Sequence, residues 1–164
     1  MKEKREKIHP KTQIGHVHLK VSNLQTSINF YSNILGFEVM EKIEDSAAFL
    51  SAGGYHHHIG LNTWESKDGN PPERGTTGLY HFAILVPNRK ELAKVLKRLI
   101  DHKYQIDGAS DHGVSEAIYL RDPDKNGIEI YADRKKSKWP KDKNGKLIMF
   151  TGPLDIANLM KELK

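Results

Sequence analysis

Nine histidines and no cysteine stand among the 164 residues. Without a thiolate, a borderline transition metal has to be held by imidazole and carboxylate. Cysteine nucleophiles, disulfide frameworks and thiolate-bound zinc or iron–sulfur sites are excluded by the same count. Three positions combine the right residue types. His16 lies in Ile14-Gly15-His16-Val17, His81 in Leu79-Tyr80-His81-Phe82-Ala83, and Glu129 between Ile128 and Ile130. A carboxylate set between apolar neighbours on a strand is costly unless it is paired or bound to metal. Two imidazoles and one carboxylate leave open coordination positions, which suits non-haem Fe(II); Mn, Zn and Ni accept the same donors. A single strand histidine is more often a hydrogen-bonded structural residue, and a single glutamate an edge-strand charge. The two histidines are set apart because they are related by a repeat. An offset of 65 places His16 on His81, Val21 on Val86 and Asn23 on Asn88.

That repeat extends to the elements that must position these residues. Ile14 to Val21 alternates as a strand, with Val17, Leu19 and Val21 on one face and His16 and His18 on the other. Capping chemistry at Ser22-Asn23 leads into a helix over about Leu24 to Ile34, which Gly36 stops. Strands are predicted over Phe37–Ile43, Ala47–Ser51 and His56–Thr63, with Gly53-Gly54 as a turn. In an alternating strand His57 faces away from His56 and His58. Residues 65–77 read as a polar linker. The order then recurs: a strand at Leu79–Val86, a helix at Lys90–His102, and strands at Tyr104–Ile106, Glu116–Arg121 and Gly127–Tyr131. A period of this length marks a duplicated module rather than a solenoid. The expected fold class is α+β: two βαβββ modules forming an incomplete barrel around a metal site. The double module spans 12–133, with modules at about 12–64 and 78–133. A basic arm over 1–11 precedes it, and a basic loop with a short helix over 134–164 follows it.

Charge distribution separates this chain from a nucleic-acid binder. The formal net charge is +5 from 26 Lys and Arg against 21 Asp and Glu. Residues 1–11 carry +3 and residues 134–146 carry +6, which leaves the rest at −4. Solvated runs account for such basic segments, and no nucleic-acid partner is expected. No apolar run reaches the roughly 18 residues of a membrane span, and no apolar segment follows the charged first residues as in a secretory signal. A cytoplasmic location is the expectation.

The residues also carry a resemblance. Ile14-Gly15-His16-Val17, Asn29-Phe30-Tyr31, Leu35-Gly36-Phe37 and the run Asp122-Pro123-Asp124-Lys125-Asn126-Gly127-Ile128-Glu129-Ile130-Tyr131 resemble the vicinal-oxygen-chelate superfamily. It includes glyoxalase I, fosfomycin-resistance transferases, bleomycin-binding proteins and extradiol ring-cleaving dioxygenases. The resemblance implies His16, His81 and Glu129 as metal ligands, the same three positions reached from the repeat. Offset by 69, Glu129 falls on Gly60, where glyoxalase I has a fourth ligand, a glutamate. Tyr55-His56-His57-His58-Ile59-Gly60-Leu61-Asn62-Thr63-Trp64 resembles the extradiol dioxygenase segment that supplies an acid/base histidine, which implies His58. Tyr119 matches a tyrosine that hydrogen-bonds catechol in those enzymes, and His112 resembles a further active-site histidine. Leu79-Tyr80-His81-Phe82-Ala83 and the tail through Trp139-Pro140 and Gly152-Pro153-Leu154-Asp155 are similar to catechol 2,3-dioxygenase-like bacterial proteins.

The implied function is a metal-dependent extradiol-type dioxygenase acting on a catechol-like aromatic and O2. Fe(II) is the expected cofactor, with Mn, Zn or Ni as alternatives. A histidine near neutral pKa suits removal of a phenolic proton, and a tyrosine hydroxyl suits a developing anion. Members of this superfamily can exchange modules between subunits, so the resemblance implies a homodimer as a possible assembly. Two other readings stand beside it: another metalloenzyme of the superfamily, such as a glyoxalase-type isomerase or a thiol transferase, or a metal-free small-molecule binding protein.

Overall fold

A computed structural model describes residues 6–164. Residues 1–5 of the predicted basic arm lie outside the described residues. The first module is β1 (Val17–Lys20), α1 (Leu24–Ile28) continued by a π-helical turn over Asn29–Ile34, then β2 (Glu38–Ile43), β3 (Ala47–Ser51) and β4 (Ile59–Asn62). The second is β5 (Phe82–Leu85), α2 (Arg89–Asp101), β6 (Ile106–Asp111), β7 (Ser115–Arg121) and β8 (Gly127–Asp133). The chain then adds β9 (Gly152–Pro153) and α3 (Ile156–Met160).

Each module forms its own sheet, in the orders β1-β4-β3-β2 and β5-β8-β7-β6-β9. The repeat is visible bond by bond. Asn23 Oδ1 accepts from Thr26 N at 2.9 Å, and Asn88 Oδ1 accepts from Glu91 N at 3.1 Å, so both helices are capped by repeat-related asparagines. Val21 N donates to Asn62 O and Val86 N to Tyr131 O, each at 2.8 Å. β1 runs parallel to β4 with Val17 opposite Ile59, and β5 parallel to β8 with Phe82 opposite Ile128.

Several strand boundaries differ from expectation: β1 begins at Val17 rather than Ile14 and β5 at Phe82 rather than Leu79, so His16 and His81 fall just before their strands. β4 begins at Ile59, so His56, His57 and His58 are coil and the alternation predicted for them does not apply. β6 begins at Ile106 rather than at Tyr104, whose hydroxyl is used instead as a donor to the Arg121 carbonyl at 2.8 Å. Among the described residues no backbone hydrogen bond joins β1 to β5, so the barrel stays open. The stretch 134–164 does more than form a loop and helix: β9 extends the second sheet, and Leu154 and Leu159 are buried in the common core.

One continuous core serves both modules. It runs from Leu24, Ile28 and Phe30 to Leu92, Leu96 and Leu99 of α2 and Ile118, Ile128 and Ile130 of the second sheet. The joint between the modules is polar as well. Asp122, 1% exposed, accepts from Tyr31 Oη at 2.9 Å, from Asn126 N at 2.8 Å and Nδ2 at 2.9 Å, and from Asp124 N at 2.9 Å. Asp124 accepts from Ser22 N at 3.0 Å. Arg98 Nη2 donates to the Leu35 carbonyl at 2.7 Å, at the end of the first helix. Burial, opposed in part by the Asn126 hydrogen bonds, holds the Asp122 carboxyl above its ordinary pKa, and the same burial pushes the Tyr31 phenol up.

Removing Asp122 strands the Tyr31 hydroxyl and three further donors in a dry joint. Asp122→Ala is therefore expected to cost about 3 kcal/mol and Tyr31→Phe about 1 kcal/mol, read from denaturant midpoints. A pH effect comes from Asp111. Burial raises its pKa, but hydrogen bonds from Arg134 and Gly113 outweigh that and leave it lowered. Its stabilisation is thus present above the unfolded value of about 4 and lost as pH falls through the depressed folded value. Arg134→Gln should flatten the loss of stability below about pH 4 while lowering stability at neutral pH.

Candidate metal and substrate site

Glu129 leaves β8 on the face opposite Ile128 and Ile130, which are buried. β7 places Tyr119 directly across from it, and β5 places Ala83 across from it on the other side. The small Ala83 leaves room for the carboxylate, and His81, two residues earlier on the same face, reaches it. His81 Nε2 lies 3.1 Å from Glu129 Oε2. Glu129 Oε1 accepts from the Tyr119 hydroxyl at 3.1 Å, and that hydroxyl lies 2.7 Å from His112 Nε2 at the β6–β7 corner. Burial first, then the charge and hydrogen bond of Glu129, push the Tyr119 phenol up to about 12. It therefore remains a neutral hydroxyl at physiological pH. A cavity of about 300 Å³ opens beside these residues, lined among others by Tyr80, His81, Ser110, His112, Tyr119 and Thr151.

His16 is not part of this group. It is exposed just before β1, with its ring 4.4 Å from that of His57. His57 meets Phe49 edge-on, with ring centroids 5.0 Å apart, and its Nδ1 lies 2.8 Å from His56 Nδ1. Because this stretch is coil, His56 and His57 meet rather than diverge. Burial, followed by the neighbouring His16, lowers the pKa of both His57 and His18. His58 is turned away: its Nδ1 lies 3.1 Å from Ser51 Oγ and accepts from Ala52 N at 3.3 Å. Among the described residues, no three His, Asp or Glu side chains lie close enough together to hold a metal ion. The chain thus brings together His81, Glu129, Tyr119 and His112, and leaves His16 and His58 on the first module.

The donor set present fits a divalent metal in part. Two ligands about 2.1 Å from one ion and at right angles are separated by about 3 Å. The His81–Glu129 spacing of 3.1 Å matches that separation. The equivalent carboxylate position of the first module is closed. A Cβ on Gly60 would come within 2.9 Å of the His18 ring, which also packs near Phe49 and Trp64. The modules thus carry mirror solutions on one register: large His18 over small Gly60, and small Ala83 beside large Glu129.

Sequence reasoning missed Thr151 and the Phe150 carbonyl, which stand at His112 Nδ1. A Gly-Pro pair beside a threonine is too weak a signal to place that segment at a site.

Residues 13–130 match the model of the Glyoxalase/Bleomycin resistance protein/Dioxygenase superfamily, and the chain belongs to that superfamily. It is 48% identical over 160 residues to a catechol-2,3-dioxygenase of Bacillus subtilis, covering 94% of this chain and 53% of that protein. It is 29% identical over 123 residues to biphenyl-2,3-diol 1,2-dioxygenase 3 of Rhodococcus globerulus, covering 74% and 63%. The chain therefore spans little more than half the length of these relatives. A solved glyoxalase/dioxygenase from Nostoc punctiforme superposes with a TM-score of 0.64 at 19% identity, over 80% of this chain and 99% of that one, and shows the shared fold.

The His18–Gly60 contact sets up a double-mutant cycle. Gly60→Ala alone should cost about 1–2 kcal/mol by crowding the ring, and the cost should vanish in a His18→Ala background. Chemical denaturation of the four proteins measures it.

Proposed function

We propose that this chain carries out metal-dependent extradiol-type cleavage of a catechol-like aromatic by O2. The observation that supports it most is the continuous contact His81–Glu129–Tyr119–His112, of which His81, Tyr119 and His112 line one cavity, in a chain 48% identical to a catechol-2,3-dioxygenase. The ligand set is His16, His81 and Glu129, and the expected ion is Fe(II), with Mn, Zn or Ni able to use the same donors. Such an ion, when bound, supplies Lewis acidity and a template for substrate and O2.

The chain's own groups supply the rest. The Tyr119 hydroxyl, neutral at working pH, donates to oxygen that gains negative charge. His112 Nε2 behind it exchanges a proton through the phenol. A first-module imidazole takes the phenolic proton and later returns it to the leaving oxygen. The family resemblance implies His58 for that role, while His57 is the ring that lies against His16. Gly60, with His18 filling the space beside it, disfavours a site with a second carboxylate ligand and hence the isomerase reading.

His16 directly precedes β1 and His81 directly precedes β5, which are edge strands of separate sheets, and Glu129 stands on β8 beside β5. Exposed Ile14 (91%) and Tyr80 (85%) flank them. A homodimer in which β1 of one copy meets β5 of the other would complete two sites and cover these side chains.

Two measurements test this reading. Anaerobic Fe(II) loading, desalting and elemental analysis should find about one ion per chain, lost in His81→Ala and Glu129→Ala. Oxygen uptake with catechol should then yield a yellow ring-fission product; no uptake across a panel of substituted catechols and ions overturns the function. Mixing His16→Ala with Glu129→Ala tests the assembly. A shared site restores roughly a quarter of wild-type activity in the random mixture, whereas a site closed within one chain restores none.

A further inference from the structure

The end of the chain returns to the site in a way the ligand set does not require. After β8 the chain leaves the second sheet and comes back to pair β9 with β6, Gly152 opposite Asp111 and Pro153 opposite Ser110. The return is anchored beyond the site. Leu154 and Leu159 are buried, and Arg89 of α2 donates to Asn158 Oδ1 and Glu162 Oε1, both at 2.8 Å. This anchoring sets Phe150 and Thr151 against His112. The Phe150 carbonyl lies 3.2 Å from His112 Nδ1 and the Thr151 hydroxyl 3.3 Å from it, while Thr151 also lines the cavity. Gly113, at φ +75°, makes room: a Cβ there would come 2.6 Å from the Phe150 ring and 2.9 Å from Pro140.

A backbone carbonyl has no hydrogen to give, so the ring nitrogen that faces it must be the N–H. The tautomer of an imidazole is set by the hydrogen bond its other nitrogen makes. We propose that the C-terminal return is a positioning element, whose Phe150 carbonyl holds hydrogen on His112 Nδ1 and so presents Nε2 to Tyr119. In the neutral ring Nε2 then accepts the single Tyr119 hydroxyl hydrogen at 2.7 Å, in place of Glu129 Oε1. In the charged ring Nε2–H donates to Tyr119, and the hydroxyl turns to Glu129. The neutral Nε2–H tautomer would keep the Tyr119–Glu129 bond and accept at Nδ1 from the Thr151 hydroxyl, but it sets Nδ1 and the nearer Phe150 carbonyl, two acceptors, face to face. Phe150 acts only through His112 and touches no reacting atom. The catalytic consequence rests on the proposed dioxygenase reading, but the tautomer does not.

Long-range 15N–1H correlation spectra of the metal-free full-length chain, at a pH where the ring is neutral, read this directly. The His112 signals are assigned by their loss in His112→Gln. The wild type should show hydrogen on Nδ1 and a bare Nε2. Thr151→Val should keep that pattern, because the carbonyl remains. Gly113→Ala should drive Phe150 off and populate the Nε2–H form. In the loaded enzyme, Gly113→Ala should lower kcat roughly 10-fold with little change in KM. An Nε2–H ring in the wild type overturns the proposal, whether or not Gly113→Ala folds. So does a tautomer lost in Thr151→Val, or one unchanged in Gly113→Ala when the Phe150 and Gly152 amides have moved. The spectra need neither metal nor substrate. A chain that consumes no oxygen can still show the Nδ1–H ring, and an active chain with the other tautomer refutes the positioning alone.

Discussion

The buried carboxylate of Asp122 is the constraint on which the arrangement of the two modules depends. It sits in the turn that feeds β8, upstream of Glu129, and it accepts from the Tyr31 hydroxyl of the opposite module. A charge with 1% exposure survives there because four donors converge on it. The same turn uses Asp124 to hold the Ser22 amide ahead of the first helix. Tyr31 and Tyr104 both pack on Phe30, with ring centroids 4.9 and 4.8 Å away, so the polar clamp is sealed by aromatic surface from each module. The turn that docks the modules is thus also the turn that delivers the carboxylate to its strand.

Duplication supplies two scaffolds with the same register, and side-chain size then makes them unequal. On the strand pair of the first module, the His18 ring occupies the space that a side chain at position 60 would need. On the second, Ala83 yields that space to Glu129. One module therefore presents only imidazoles and aromatic rings, with Phe49 and Trp64 around His18. The other presents an acid, a phenol and two imidazoles in hydrogen-bonding sequence. This division explains why the phenol of Tyr119 is driven up: it faces a carboxylate in a partly dry wall.

The C-terminal stretch links the stability of the second module to its chemistry. Arg134 bridges Asp111 and Glu116, and Arg89 bridges Glu116 and Glu162, so a single acid of β7 is held from both the tail and α2. Glu116 is nearly buried, which gives this network more weight than exposed pairs such as Lys97–Asp101. Asp111 in that network is the residue before His112, so the charges that fasten the tail also fix the corner from which His112 projects.

Much of this was legible in the residues. Alternation and capping placed the strands and helices, because side-chain period and cap chemistry are local. The 65-residue offset paired His16 with His81 and Asn23 with Asn88, and the structure gives each member of both pairs the same backbone position. The face of Glu129 also followed from its apolar neighbours. Other features were decided only by tertiary structure. Whether His16 meets His81 depends on how two sheet edges approach, and no local pattern encodes that; within this chain they stay apart. His56 to His58 read as strand yet form coil, which swaps which histidine lies against His16. The Phe150 carbonyl has no side-chain signature at all, and reaches His112 only because Leu159 and Arg89 anchor a segment some forty residues downstream of that histidine. Sequence by itself determined the repeated elements and the strand faces on which the residues sit, since these follow from period and chemistry along the chain. The partners those residues meet were settled by packing between distant segments.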